Sequence, residues 1–312
     1  MTHVPAIVAH CDWSMHPRKR WMAVATREAD RWKIAIPERV GETADLFSRL
    51  RQRRDQRGSL FIGFDFPIGL PQAYGERTGF SDFKDALKNF GSGAWADWYS
   101  VCEDKRQISI QRPFYPYRPG GRKLQHLFNG LGFREKDLLL RICERKTDER
   151  QAACMLFWTL GGNQVGKGAI SGWRELLAPK SDQVSIWPFD GRLNYLLEQR
   201  DVVVAETYPA EVYGHLGISR RPAWSKREVS GRKLVSGALL EWLGTRPVDP
   251  QPGLRDFIAA GFPGSSDGED QFDAIVGLFG MLDVVDERRP NGCPDVPAIS
   301  RWEGWILGQA LV

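Results

Sequence analysis

The chain has 312 residues, 42% hydrophobic and 26% charged, with a net charge of +4. That balance excludes a disordered or fibrous protein, and the length allows one large domain or two smaller ones. Five cysteines (11, 102, 143, 154 and 293), odd in number and without a C-x-x-C pair, argue against a disulfide framework or a zinc knuckle.

Residues 4–12 predict a first strand that ends on Asp12. RWMAVATRE (20–28) and RWKIAIPE (31–38) predict two more strands in an antiparallel meander. Residues 42–57 place Leu46, Phe47 and Leu50 on one face and arginines elsewhere, the pattern of an amphipathic helix. SLFIGFD (59–65) is a fourth strand, and the intervening helix implies a parallel crossover. Regularity is then lost from 72 to 200, where helical pieces at 174–178 and 191–200 alternate with loops rich in Gly, Pro and Trp. VVVAETYP (202–209) is a fifth strand, followed by helices over 230–244 and 271–285. A single domain is expected, with a core of 1–71 and 201–312 and a large, mainly helical insertion between them. The strongest late apolar run, AIVGLFGML (274–282), is too short to span a bilayer, and no basic segment followed by a long apolar run is visible near residue 1. A cytoplasmic protein without a membrane partner is expected.

The acids at the strand ends carry the chemistry. Asp12, Asp65 and Glu206 each close an apolar run, and DGEDQFDA (267–274) opens an apolar helix with Asp270 and Asp273 on one face. An acid at the exit of a buried strand is costly unless its charge is used. Singly, such residues are turn formers or helix caps. Together they predict a carboxylate site for a hard cation, Mg²⁺ or Mn²⁺.

Three antiparallel strands, a helix and then parallel strands form the succession of the ribonuclease-H-like fold. That fold predicts an α/β protein with a mixed five-stranded sheet in the order 3-2-1-4-5 and flanking helices. Asp12, Asp65 and Glu206 would then share one sheet edge. GFDFPIGLP, WPFDG (187–191), AETYPAEVYGHLG (205–217) and DGEDQFDAIVGLFGML (267–282) resemble domain-of-unknown-function family 429, for which a ribonuclease-H-like nuclease fold is predicted. By that resemblance Asp12 and Asp65 match the acids of strands one and four. Asp273 matches the last-helix acid, and Asp270 looks like a second acid one turn earlier, as in Holliday-junction resolvases. Glu206 is a motif residue whose role the fold leaves open.

Phosphodiester hydrolysis calls for an activated water and a stabilised leaving oxygen, which two ions roughly 3.5–4 Å apart supply. Asp12 is expected to bridge them, with Asp65 completing one shell and Asp273 or Asp270 the other. Catalytic work is assigned to Asp12, Asp65, Glu206 and Asp273. Residues 105–146 carry a local charge of +8 against −4 in the rest of the chain. Within them Arg112, Arg118, Tyr115 and Tyr117 suit a nucleic-acid strand, arginines on phosphates and rings on unpaired bases. An ordinary surface loop with aromatic anchors fits the same residues. GGNQVGK (161–167) nearly matches a phosphate loop but has Gly168 where a hydroxyl is needed. Lys167, and more weakly Lys233, are candidate phosphate contacts, and His215 is more readily structural than a proton carrier.

The expected function is a metal-dependent nuclease acting on DNA or RNA. Two other readings stay open. One is a phosphotransferase or NTPase of the actin-like branch, disfavoured because no glycine hairpin follows Asp12. The other is a non-catalytic nucleic-acid-binding module. Resolvase relatives of the fold act as dimers, which leaves a homodimer open.

Overall fold

The computed structural model describes residues 4–53, 58–146, 151–160, 165–219 and 223–310. The chain opens with β1 (Ile7–Asp12), β2 (Trp21–Glu28), β3 (Arg31–Ile34) and β4 (Glu38–Arg39), then α1 (Leu46–Arg51) and β5 (Leu60–Phe64). The insertion holds α2 (Gln72–Gly75), α3 (Phe83–Asn89), α4 (Leu124–Leu131), α5 (Val165–Gly172), β6 (Ser185–Ile186) and α6 (Leu193–Gln199). β7 (Val202–Glu206), α7 (Pro209–His215), α8 (Val229–Thr245), β8 (Val248–Pro250), α9 (Leu254–Ala259) and α10 (Asp267–Val285) follow.

These elements make an α/β fold around one mixed sheet of eight strands, not five. The sheet runs β6-β7-β5-β1-β2-β3-β8, with β4 paired to β2. β1 pairs β2 antiparallel and β5 parallel, and β7 extends the parallel side. The three added strands are two or three residues long, too short to carry a hydrophobic period. β4 arises because the expected strand 31–38 breaks after Ile34 and re-pairs beyond Pro37, which has no N–H to offer a ladder. β6 belongs to the insertion, so the insertion supplies an edge strand of the sheet. The helix expected over 42–57 spans only Leu46–Arg51, and residues 54–57 lie outside the described residues.

β1, β5 and β7 are buried on both faces, as central parallel strands must be. One face (Ile7, Ala9, Cys11, Leu60, Ile62, Phe64, Val202, Val204) packs under the insertion. The other (Val8, Phe61, Val203, Ala205) packs under α7, α8 and α10. α10 comes close enough because it presents Gly277 to the ring of buried His10 and Gly280 to Val212. An added Cβ at either position would collide with those side chains. Trp98 and Trp173 are buried in the core under the insertion, with Trp95 and Trp158 half-buried against it, and Trp187 is buried in the core on the opposite face. Among the described residues, no helix is long and apolar enough to cross a membrane.

Candidate metal centre

Asp12 is the last residue of β1, and Asp65 follows the last residue of β5. In the parallel register Cys11 stands beside Phe64, and the Asp65 amide donates to the Cys11 carbonyl at 3.3 Å. The two aspartates are therefore neighbours beyond the same pair of strands. Both line a cleft of about 1150 Å³ at this edge. α10 sends Asp270 and Asp273 to the same cleft from its first turns. Four carboxylates from three elements thus converge.

Their protonation follows from burial and mutual repulsion. Burial, then the charges of Asp65, Asp273 and Asp270, push Asp12 well above the usual carboxylate range. Burial pushes Asp65 up to about 7, against the lowering effect of hydrogen bonds from the Trp13 amide (2.6 Å) and from Asp12. The two carboxyls hydrogen-bond to each other. Two adjacent carboxylates cannot both ionise in a buried site without a counter-charge. Burial and the charges of Glu269 and Asp273 raise Asp270 to about 6.

Asp273 is held differently. Tyr213 donates its hydroxyl to Asp273 Oδ1 at 2.8 Å, and Lys226 Nζ contacts Oδ2. The same ammonium lies 3.2 Å from Glu269 Oε1. Burial, opposed and outweighed by the charge of Asp273 and its neighbours, leaves Lys226 firmly protonated. Among the described residues no three His, Cys, Asp or Glu side chains are set to hold a metal ion directly. Asp12 and Asp65 hydrogen-bond to each other, and the Lys226 ammonium sits on Asp273. The donors themselves are oxygens, the set a hard divalent cation takes.

Glu206 is not part of this group. In the register Phe64 stands beside Glu206, so Glu206 is in phase with Phe64 and out of phase with Asp65. Alternation along a strand sends successive side chains to opposite faces. Glu206 consequently points under the insertion. There it is 4% exposed and accepts two 2.7 Å hydrogen bonds from Arg141 and one of 2.6 Å from the Ile68 amide. Arg141 also binds Glu144 at 2.9 Å and the Glu303 carbonyl at 3.0 Å. The structure sets Glu206, expected among the catalytic acids, outside the cleft lining, in a buried clamp between core and insertion.

The expected substrate contacts separate likewise. Lys167 lines the cleft from the first turn of α5. Lys233 is exposed on α8 and does not line it. Tyr115 is buried with its hydroxyl 3.0 Å from His126 Nδ1, so it is a core anchor, not a stacking platform. Tyr117 is 54% exposed beside exposed Arg118, and Arg112 is half-buried against the Val101 carbonyl. None of these four lines the cleft. His215 is walled in and pushed down to about 3 by burial, then by the charge of Arg289, so it remains neutral and structural. Residues 161–164 of the near-match phosphate loop lie outside the described residues.

Sequence reading missed the cationic and aromatic half of the cleft: Lys19, Lys226 and Arg227, with Trp13, Tyr208, Tyr213 and Trp224. Tyr213 falls inside AETYPAEVYGHLG, but nothing in that string shows which acid its hydroxyl meets. Lys226 lies 47 residues from Asp273 in a loop without periodicity.

No family model matches the chain, and neither does any curated protein or solved structure.

Proposed function

We propose that the chain is a divalent-metal-dependent nuclease that hydrolyses phosphodiester bonds of DNA or RNA on a ribonuclease-H-like core. The observation that carries this reading is the convergence of Asp12, Asp65, Asp270 and Asp273 on one cleft with Lys19 and Lys167 at its walls. The stretch β3-β2-β1-β5-β7 within the larger sheet supports the core assignment, with β4, β6 and β8 as additions. The resemblance to family 429 points the same way.

The donor set fits Mg²⁺ or Mn²⁺, because it is all oxygen and two of its buried acids, Asp12 and Asp65, make no ion pair among the described residues. Bound ions would supply charge stabilisation of the phosphoryl group and a more acidic water. The protein's own residues do the rest. Asp12, on the central strand, and Asp65 would hold a metal ion, with Asp270 and Asp273 as further oxygen donors. The Trp13 amide fixes the Asp65 carboxyl, and the Tyr213 hydroxyl fixes that of Asp273. Lys19 and Lys167 present positive charge to a phosphate backbone. Tyr208 and Trp224 give the cleft an aromatic wall against which bases can pack.

Purified protein incubated with single- and double-stranded DNA and RNA tests the reading. Cleavage should require Mg²⁺ or Mn²⁺ and disappear with chelator. Asp65→Asn should lower it at least ~100-fold with the fold intact by circular dichroism. Cleavage that survives chelation rejects the proposal, and ATP hydrolysis without nucleic-acid cleavage moves the assignment to the phosphotransferase branch.

A further inference from the structure

The acid cluster is divided in its direct contacts. Asp12 and Asp65 share a hydrogen bond, and neither makes an ion pair among the described residues. Asp273 and Glu269 instead share the ammonium of Lys226. Both oxygens of Asp273 are engaged, one by Lys226 and one by Tyr213. A tethered ammonium cannot leave the molecule. It must swing out on its four-carbon stem, which lysine allows and the planar fork of arginine resists. The Lys226 side chain is 38% exposed at the cleft, so it has room to turn toward the mouth.

We infer that Lys226 is a resident cation in the second metal position. The substrate-free protein then takes one divalent ion, between Asp12 and Asp65. The second ion enters beside Asp273 only when an incoming phosphate draws Lys226 away. This rests on the metal-site reading above and adds an order of assembly to it. It makes Lys226 a positioning residue that couples the second ion to substrate and keeps the two-ion state from forming on an idle enzyme.

Mn²⁺ titration of the substrate-free protein, with free Mn²⁺ counted by electron paramagnetic resonance, tests the inference without reference to activity. Wild type should bind one ion. Lys226→Met should bind two, or gain affinity at the second position by roughly 5- to 1000-fold, the range spanned by one unit charge near 4 Å between aqueous and protein-like screening. Lys226→Arg should keep the one-ion stoichiometry, and Lys226→Gln replaces the methionine variant if that does not fold. A wild type without bound ion beside a variant that binds overturns the one-ion resting state. Equal stoichiometry and affinity in wild type and Lys226→Met, with ions bound, overturns it and leaves the metal site standing. No ion in either protein at millimolar Mn²⁺ overturns both.

Discussion

Asp65 offers a stability test that needs no substrate. Burial carries its carboxyl from 3.8 up to about 7 in the folded chain. Between those values the folded state holds a proton that the unfolded state has released. The resulting stabilisation is fully present below about pH 4 and is lost as the pH rises through about 7. At about 1.4 kcal/mol per unit, the displacement from 3.8 to about 7 amounts to about 4 kcal/mol at most. For a chain of 312 residues this is roughly 6 °C in melting temperature. Asp12, Asp273 and Lys226 act on the same carboxyl, so the measurement compares wild type with Asp65→Asn in matched buffers containing chelator. From pH 4 to 7 the wild type should lose roughly 6 °C relative to the variant, which has no carboxyl there to titrate. Millimolar Mn²⁺ should cancel the loss in wild type above about pH 6, because an ion replaces the proton as counter-charge. Parallel melting curves for the two proteins across that range would refute the assignment of Asp65 to a desolvated acid pair.

Arg141→Met leaves Glu206 and Glu144 buried without their partner and should cost about 3–5 kcal/mol in urea unfolding. Glu206→Gln should lower stability yet change cleavage per folded molecule less than about threefold, which separates the clamp from the site. Gly277→Ala drives a methyl into the His10 ring and should destabilise by about 1–3 kcal/mol, read by thermal melting. Lys167→Ala should weaken nucleic-acid binding and reduce the slope of log affinity against log salt by roughly 1 in fluorescence anisotropy, whereas Lys233→Ala should leave both unchanged.

Long apolar periods were legible. β1, β2, β5 and β7 and the helices α8 and α10 lie within a few residues of where hydrophobic patterning puts them. A buried element needs a long run of apolar side chains, and such runs survive in one dimension. The short strands β4, β6 and β8 leave no such trace, because a two-residue pairing is set by which neighbour offers a free edge. Asp12 and Asp65 stood out for a different reason: an acid that ends an apolar run is out of place by composition alone, whereas Asp270 and Asp273 open an apolar helix.

Glu206 shows where that logic stops. AHCD, IGFD and VVAE look alike as strings, since each closes a strand on a carboxylate. Only the register, with Phe64 beside Glu206 and Asp65 one residue further on, turns Glu206 to the opposite face and onto Arg141. The sequence by itself determined the α/β class, the central strands and the acids that end them, because burial selects residue type along the chain. The tertiary structure decided which acids meet, and that Lys226 stands among them, because register and loop closure set distances between residues whose separation in sequence carries no periodic signal.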